Sequence, residues 1–164
     1  MLSIILTIKI ISKKKEGPFM LFYVITIFVI LMDQLSKYLI RIYFDINEEF
    51  TWLGIELTHI ENSGMAGGLF PGHARLFGLG AVLFVIGVLY IRRTGEMNGA
   101  LIDSSFGFLV GGGIGNGIDR LLFGQVTDFI IRSGGVLNLA DHAIEIGVIL
   151  LIIYVVVSWI KNKL

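Results

Sequence analysis

Four long apolar runs constrain the fold of this chain more than any other feature. They lie at about residues 19–40, 74–91, 99–118 and 142–160. A helix needs about 20 apolar residues to cross a bilayer, and the chain is 55% hydrophobic with a mean hydropathy of +0.84. We therefore predict an all-α integral membrane protein, a single membrane domain over residues 1–164 with four transmembrane helices.

The basic residues predict how these helices are oriented, because Lys and Arg accumulate in cytoplasmic loops. With four spans, the clustered basic residues fall on one side: Lys9, Lys13, Lys14 and Lys15 before the first span, Arg92 and Arg93 after the second, and Lys161 and Lys163 after the fourth. Both termini are then cytoplasmic, and residues 41–73 and 119–141 form the outer segments. Residues 1–19 are an N-terminal extension, either an interfacial segment or a stretch that precedes a start at Met20.

Composition excludes several classes of function. The formal net charge is zero, so the charge balance gives no reason to expect nucleic acid as a partner. The chain contains no cysteine, which excludes disulfides, thiolate zinc sites and a cysteine nucleophile. The histidines, His59, His73 and His142, do not have metal-ligand spacing, so we expect neither a metal nor another cofactor.

The first outer segment has the pattern of a small β-sheet. FTWLGIELTHIENS, at residues 50–63, alternates apolar and polar residues over part of its length, which predicts one or two strands. Asn62-Ser63-Gly64 follows as a turn signal. We expect a small outward-facing sheet between the first two helices; a plain connecting loop is the alternative.

Three aspartates lie close together in the second outer segment, where an ionisable residue at a membrane edge suggests a functional site. Asp119 precedes Arg120, so a local ion pair is one explanation for it. Asp141 stands three residues after Asn138, the offset of a helix-capping box, so a cap is an explanation for it. Asp128 lies in the apolar stretch VTDFII, where neither explanation applies.

Other charged residues lie within the apolar runs. Asp33 and Lys37 are four apart and share a helix face, so they can form an ion pair. A pair that snorkels to the membrane interface is the alternative. Glu145 lies one turn beyond Asp141, inside the fourth apolar run, and also needs a polar neighbour, which we expect within the bundle.

Two carboxylates held together can divide the work of peptide hydrolysis. Like charges a few ångströms apart do not both ionise, so one carboxyl keeps its proton. The ionised group takes a proton from water, and the protonated group donates to the developing oxyanion. Asp128 and Asp141 can meet only if the chain turns between them, which Gly134 and Gly135 permit.

The glycine-rich stretch GGGIGNG, at residues 111–117, is not a phosphate-binding loop, because no Gly-Lys-Ser/Thr follows and it ends a membrane span. Gly111 with Gly115, and Gly113 with Gly117, have the spacing of close helix packing. Asn116 is a polar group available to a peptide carbonyl.

Five short motifs resemble those of the lipoprotein signal peptidase family. They are DQLSK at residues 33–37, NSGMA at 62–66, GNGIDR at 115–120, VTDF at 126–129 and NLAD at 138–141. The resemblance implies a membrane aspartic endopeptidase of the bacterial inner membrane, with its active site at the outer leaflet edge. It would cleave diacylglyceryl-modified prolipoproteins on the amino side of the lipobox cysteine, in contact with membrane lipids, and globomycin-like peptides would inhibit it.

The resemblance also implies roles for individual residues. Asp128 and Asp141 are the catalytic dyad. The substrate-binding or supporting residues are Asn62, Gly64, Asn116, Asp119, Arg120, Asn138, Ala140, Asp33 and Lys37. Among these, the three asparagines would orient the substrate backbone, and Asp33 with Lys37 would brace the first span. The chain departs from the family at Met65, at Gly67-Gly68 and in a short segment between the two catalytic aspartates.

Two other functions are alternatives to a peptidase. A small transporter or proton channel would also bury carboxylates, but it predicts acidic residues throughout the membrane depth and similarity between two halves. The acidic residues of this chain instead gather at one edge. A non-catalytic assembly factor would have no need of Asp128.

Overall fold

The computed structural model describes residues 19–163, so the predicted N-terminal extension lies outside the described residues. The described residues form four long helices and four short strands. The elements are α1 (Phe19–Tyr43), β1 (Glu49–Trp52), β2 (Ile55–Asn62), a 3-10 turn (Ala66–Gly68), α2 (Ala74–Thr94), α3 (Ala100–Leu122), β3 (Val126–Arg132), β4 (Gly135–Leu137) and α4 (Leu139–Lys163). All four predicted apolar runs are helical, and each helix extends beyond the predicted limits at one or both ends.

Length and composition mark helices α1, α2 and α4 as candidate membrane spans, over Met20–Tyr43, Ala74–Thr94 and Leu139–Lys163. Their apolar side chains are largely exposed on the protein surface, as expected of helices that contact lipid. A mostly helical membrane scaffold is thereby confirmed. The presence of four spans stays a prediction, because helix α3 carries more polar residues than the other three helices and is surrounded by protein.

Helix α3 forms the centre of the helical bundle. It packs against each of the other three helices, and most of its residues are buried. Phe106, Leu109 and Val110 contribute to the main apolar core, together with Phe22 of α1 and Val88 of α2. The third helix is therefore shielded by protein on several sides, which accommodates its buried polar groups.

Glycines allow the helices to approach α3 closely. A Cβ atom at Gly111 would lie 2.7 Å from Val29 Cβ of α1, and one at Gly115 would lie 2.5 Å from Asp33 Oδ2. At Gly112, on another face, it would lie 2.5 Å from the carbonyl oxygen of Ala140. The close packing predicted from the glycine spacing is confirmed at Gly111 and Gly115. It is not seen at Gly113 and Gly117, where a Cβ atom would meet its nearest neighbour at 3.5 and 3.4 Å.

Strands from both outer segments build one antiparallel sheet in the order β1-β2-β3-β4. Strands β1 and β2 lie in the first outer segment and confirm the predicted sheet. Its predicted placement between the first two helices was wrong for β3 and β4, which come from the second outer segment. Strand β3 reads VTDFIIR, and its β-branched and aromatic residues favour a strand. It pairs with β2, opposing Asp128 to Ile60 and Thr127 to Glu61.

The sheet packs against the end of helix α1. Ile40 of α1, Leu57 of β2 and Phe129 of β3 are buried in a second apolar cluster. Phe44 and Phe50 stack beside it with ring centroids 3.6 Å apart. Strand β3, which carries Asp128, is therefore attached to the helical bundle through α1.

Candidate active site

Asp128 lies on strand β3 with only 5% of its surface exposed. Asn62 Nδ2 donates to its Oδ2 at 3.0 Å, and Asn138 Nδ2 donates to its Oδ1 at 2.6 Å. Burial raises the pKa of Asp128 to about 6; the charge of Asp141 raises it too, whereas the two amide hydrogen bonds oppose the rise. Asp128 therefore holds its proton more readily than an ordinary carboxyl group does.

Asp141 lies in the first turn of helix α4, half-buried. Its backbone N–H donates to Asn138 Oδ1 at 3.0 Å, and its Oδ2 accepts from the backbone N–H of Asn138 at 3.2 Å. These reciprocal bonds confirm the predicted capping box. They leave Oδ1 of Asp141 to accept from Asn116 Nδ2 at 2.8 Å, so the cap and the polar site share one carboxylate.

Asn138 connects the two carboxyl groups. It is fully buried, and its side-chain amide binds Asp128 while its side-chain oxygen and backbone bind Asp141. The charge of Asp141 acts on the protonation of Asp128, which places the two groups in one electrostatic site. The turn between β3 and α4, including β4, brings these two sequence positions together.

The neighbouring contacts fix which way each asparagine amide points. Oδ1 of Asn62 accepts from the backbone N–H of Gly64, and Oδ1 of Asn116 accepts from Lys37 Nζ. Oδ1 of Asn138 is occupied by Asp141. Each NH₂ group is therefore directed at an aspartate. The predicted contacts of these amides with a substrate backbone stay a prediction.

Lys37 is completely buried and does not snorkel to an interface, so that alternative was wrong. Its Nζ contacts Asp33 Oδ2 at 2.8 Å, Asp119 Oδ2 at 2.9 Å and Asn116 Oδ1 at 2.9 Å. Two buried carboxylates and an amide oxygen compensate one buried cation. Through Asn116, this ion cluster reaches Asp141.

Asp33 also holds the start of helix α4. Its Oδ1 accepts from the backbone N–H of Ala140 at 2.9 Å. Gln34 Nε2 donates to the Gly115 carbonyl at 3.0 Å and approaches Asp33 and Asp119. The DQLSK motif therefore connects α1, α3 and α4 close to the two aspartates. Gln34 was not among the predicted site residues.

Asp119 does not pair with its neighbour in the sequence, so the local ion pair with Arg120 was wrong. Asp119 is fully buried between Lys37 and Arg41, whose Nη2 lies 3.2 Å from its Oδ1. Consecutive helix residues do not face each other, which explains the difference. Arg120 instead interacts electrostatically with Asp141 and Asp128, and more weakly with Asp119.

Gly64 supports the site through the backbone. A Cβ atom there would overlap the carbonyl oxygen of Leu69, because the loop closes on itself through the 2.7 Å bond from Met65 N–H to that carbonyl. Asn62 Nδ2 also donates to the Met65 carbonyl at 3.0 Å. Glycine at this position therefore allows the loop to hold Asn62 against Asp128.

Glu145 finds its polar neighbour outside the bundle interior. Arg132 Nη1 binds its two carboxylate oxygens at 2.9 and 3.2 Å, and both side chains are 49% exposed. The predicted partner within the bundle was wrong. Among residues 19–163, no three His, Asp or Glu side chains form a group suited to a metal ion.

Comparisons with known proteins agree with this fold. The backbone is similar to a solved structure described as a bacterial membrane enzyme at 2.3 Å resolution, with a TM-score of 0.79 and 30% identity over 86% of this chain and 90% of that one. A second such structure, at 1.9 Å, gives a TM-score of 0.73 with 30% identity over 80% and 90% of the two chains. The chain therefore has the fold of a class of bacterial membrane enzymes.

Sequence comparison then gives the family. The family described as Signal peptidase (SPase) II matches residues 25–157. Similar proteins include the lipoprotein signal peptidases of Moorella thermoacetica, 41% identical over 79% of this chain and 89% of that protein, and of Listeria monocytogenes, 33% identical over 88% and 98%. The chain belongs to the signal peptidase II family, whose members are membrane aspartic proteases.

Proposed function

We propose that this protein removes the signal peptide from diacylglyceryl-modified prolipoproteins, cleaving on the amino side of the lipobox cysteine with Asp128 and Asp141 as the catalytic dyad. Its relatives are named lipoprotein signal peptidases. The observation that carries the dyad assignment is that Asn138 hydrogen-bonds both carboxyl groups. The two carboxyl groups are thus held on either side of Asn138.

The environments of the two groups suggest how they divide the work. Burial raises the pKa of Asp128 to about 6, so we assign Asp128 as the partner that carries the proton into the reaction. Asp141 accepts N–H groups from Asn116 and Asn138 at the N-terminus of α4, and we assign it as the general base.

Hydrolysis then needs neither a metal nor a covalent intermediate. Asp141 takes a proton from water as the water oxygen attacks the scissile carbonyl carbon, and Asp128 gives its proton to the carbonyl oxygen. When the tetrahedral intermediate collapses, the C–N bond breaks and the proton on Asp141 passes to the leaving nitrogen. The proton of one hydroxyl returns to Asp128, which restores the starting state.

Arg120 and the asparagines prepare the site for this step. The guanidinium of Arg120 lies in the electrostatic range of both aspartates and balances their shared negative charge. The donor groups of Asn62, Asn116 and Asn138 hold the two carboxyl groups in place before a substrate arrives. Preorganised groups of this kind need no rearrangement as charge develops on the substrate.

The same proposal places the enzyme in the inner membrane of a bacterium, with four spans and both termini in the cytoplasm. The dyad would then lie at the outer leaflet edge, beside the sheet and the end of α1, where a lipid-modified peptide arrives. Membrane lipids would surround the exposed apolar faces of the helices. Globomycin-like peptides would occupy the substrate's place and inhibit cleavage.

Substitution of each aspartate tests the dyad. Asp128→Asn and Asp141→Asn each remove one ionisable group at nearly constant volume. Cleavage of a lipidated precursor, followed by gel shift with purified enzyme in detergent, is expected to fall by about 10²- to 10⁴-fold for each variant.

Two variants serve as controls in the same assay. Asp45→Asn alters an exposed aspartate outside the site and is expected to leave turnover at the wild-type level. Asp119→Asn weakens the support of the dyad and is expected to keep measurable turnover. Near-normal turnover by Asp128→Asn or Asp141→Asn would show that the dyad is assigned wrongly.

A further inference from the structure

We propose that Arg41, Glu61 and Thr127 form a positioning cluster that holds strand β3 in place and thereby sets the position of Asp128. Arg41 and Glu61 lie outside the five motifs, and Thr127 lies within VTDF, directly before the aspartate. The proposal rests on the catalytic assignment of Asp128 made above.

Thr127 is the centre of this positioning cluster. Its side chain is completely buried, on the face of β3 opposite to Asp128, because successive side chains of a strand alternate. Arg41 Nε donates to Thr127 Oγ1 at 2.6 Å, and that hydroxyl donates to Glu61 Oε1 at 2.8 Å. The single hydroxyl thus ties β3 to helix α1 and to strand β2.

The cluster also continues to the other half of the dyad. Arg41 Nη2 lies 3.2 Å from Asp119 Oδ1, and Asp119 Oδ2 lies 2.9 Å from Lys37 Nζ. Lys37 donates to Asn116 at 2.9 Å, and Asn116 donates to Asp141 at 2.8 Å. A continuous polar path therefore runs behind the site from strand β3 to the start of helix α4.

His59 holds Glu61 from the opposite side. It is 5% exposed; its Nδ1 donates to the carbonyl of Phe44 at 2.8 Å, since a carbonyl can only accept, and its Nε2 lies 3.0 Å from Glu61 Oε1. Glu61 Oε1 therefore lies between the imidazole and the Thr127 hydroxyl, and the hydroxyl donates to it. These contacts define where the carboxylate that accepts from strand β3 is placed.

The geometry favours a role in positioning over a simple contribution to stability. A buried isosteric change at Thr127 keeps the packing volume but removes the hydroxyl that bonds both Arg41 and Glu61. Strand β3 can then shift while its apolar contacts remain. A displacement of about 1 Å in a catalytic group can lower turnover by roughly 100-fold, whereas groups that contact only the distant parts of the substrate are unaffected.

Thr127→Val tests the inference, and Thr127→Ser tests whether the hydroxyl is responsible. We expect Thr127→Val to lower kcat by about 10- to 100-fold, with KM within about twofold of wild type, in the lipidated-precursor assay. Thr127→Ser is expected to recover kcat to within about threefold of wild type. Thr58→Val is the matched control, because Thr58 is another buried threonine of the sheet, on β2.

The outcomes separate this inference from the dyad assignment. If Thr127→Val had the same kcat as Thr58→Val, the positioning role would be overturned while the dyad stood. If Asp128→Asn stayed active, the dyad assignment itself would fail. Should Thr127→Val not fold, Arg41→Lys keeps the charge but loses the Nε donor, and an unchanged kcat for that variant would overturn the inference equally.

Discussion

The buried carboxyl group of Asp128 should make the fold less stable as the pH rises. Its pKa is raised from 3.8 to about 6 in the folded protein. A group with a raised folded pKa contributes fully to stability below its unfolded pKa, and the contribution is lost as pH rises through the folded pKa. A rise of roughly two units corresponds to about 3 kcal/mol, lost between about pH 4 and pH 7.

Asp128→Asn removes this dependence because asparagine does not titrate. One amide hydrogen bond from Asn62 or Asn138 is lost at every pH, which destabilises the variant by about 1 kcal/mol. At pH 4 the variant should therefore be slightly less stable than wild type. At pH 7 and above it should be more stable, by about 2 kcal/mol, since it no longer buries a charge.

Chemical unfolding in detergent micelles, repeated for both proteins at half-unit steps from pH 4 to pH 8, measures the difference. The informative quantity is the change in the variant's relative stability across the range, because the lost hydrogen bond cancels from it. If that change stayed below about 1 kcal/mol, burial would not be raising the pKa of Asp128 in the way described. The assignment of Asp128 as the protonated partner would then lose its physical basis.

Two further changes test the scaffold around the site. Gly112→Ala should destabilise the protein by about 1–3 kcal/mol, because its Cβ would meet the Ala140 carbonyl at 2.5 Å; Gly113→Ala, whose nearest contact is 3.5 Å, should be neutral or stabilising in the same thermal unfolding measurement. Lys37→Met should destabilise by about 3–5 kcal/mol, because two buried carboxylates lose their cation, and an unfolding midpoint equal to that of Lys161→Met would refute this reasoning.

The helices could be predicted because a membrane-crossing helix requires a long run of apolar residues, which is visible in the sequence. Each of the four apolar runs is helical, and helix α1 continues beyond its predicted end to Tyr43, so that Arg41 is part of the helix. The reciprocal cap of Asn138 and Asp141 was also predictable, since its partners are three residues apart. Local patterns were sufficient for these features.

Strands β3 and β4 could not be predicted in the same way. VTDFII was interpreted as an apolar stretch around one carboxylate, although its pleat places Asp128 and Thr127 on opposite faces. The partners of Thr127 are also remote: Arg41 is 86 positions away and Glu61 is 66. Sequence spacing carries no signal for such contacts, except that Arg41 lies one helix turn beyond Lys37.

The burial of charged side chains was the feature that was hardest to predict from the sequence. A lysine near the end of an apolar helix normally reaches water, yet Lys37 has no exposed surface. Its burial depends on Asp33, Asn116 and Asp119, which come from two helices and become neighbours only when α3 packs against α1. A tertiary arrangement therefore overrides the local preference of the residue.

The contact between Asp33 and Ala140 explains why a motif in the first helix matters for chemistry at the last. The N-terminus of α4 is capped twice, by Asn138 within the turn and by the carboxylate of Asp33 from 107 positions away. Because Asp141 is the next residue after Ala140, the position of its carboxylate depends on how closely α1 approaches α4. The close approach of α1 depends on Gly115 of α3, because any side chain at that position would meet Asp33. The first, third and last motifs thus act together to place one carboxylate, while the sheet places the other.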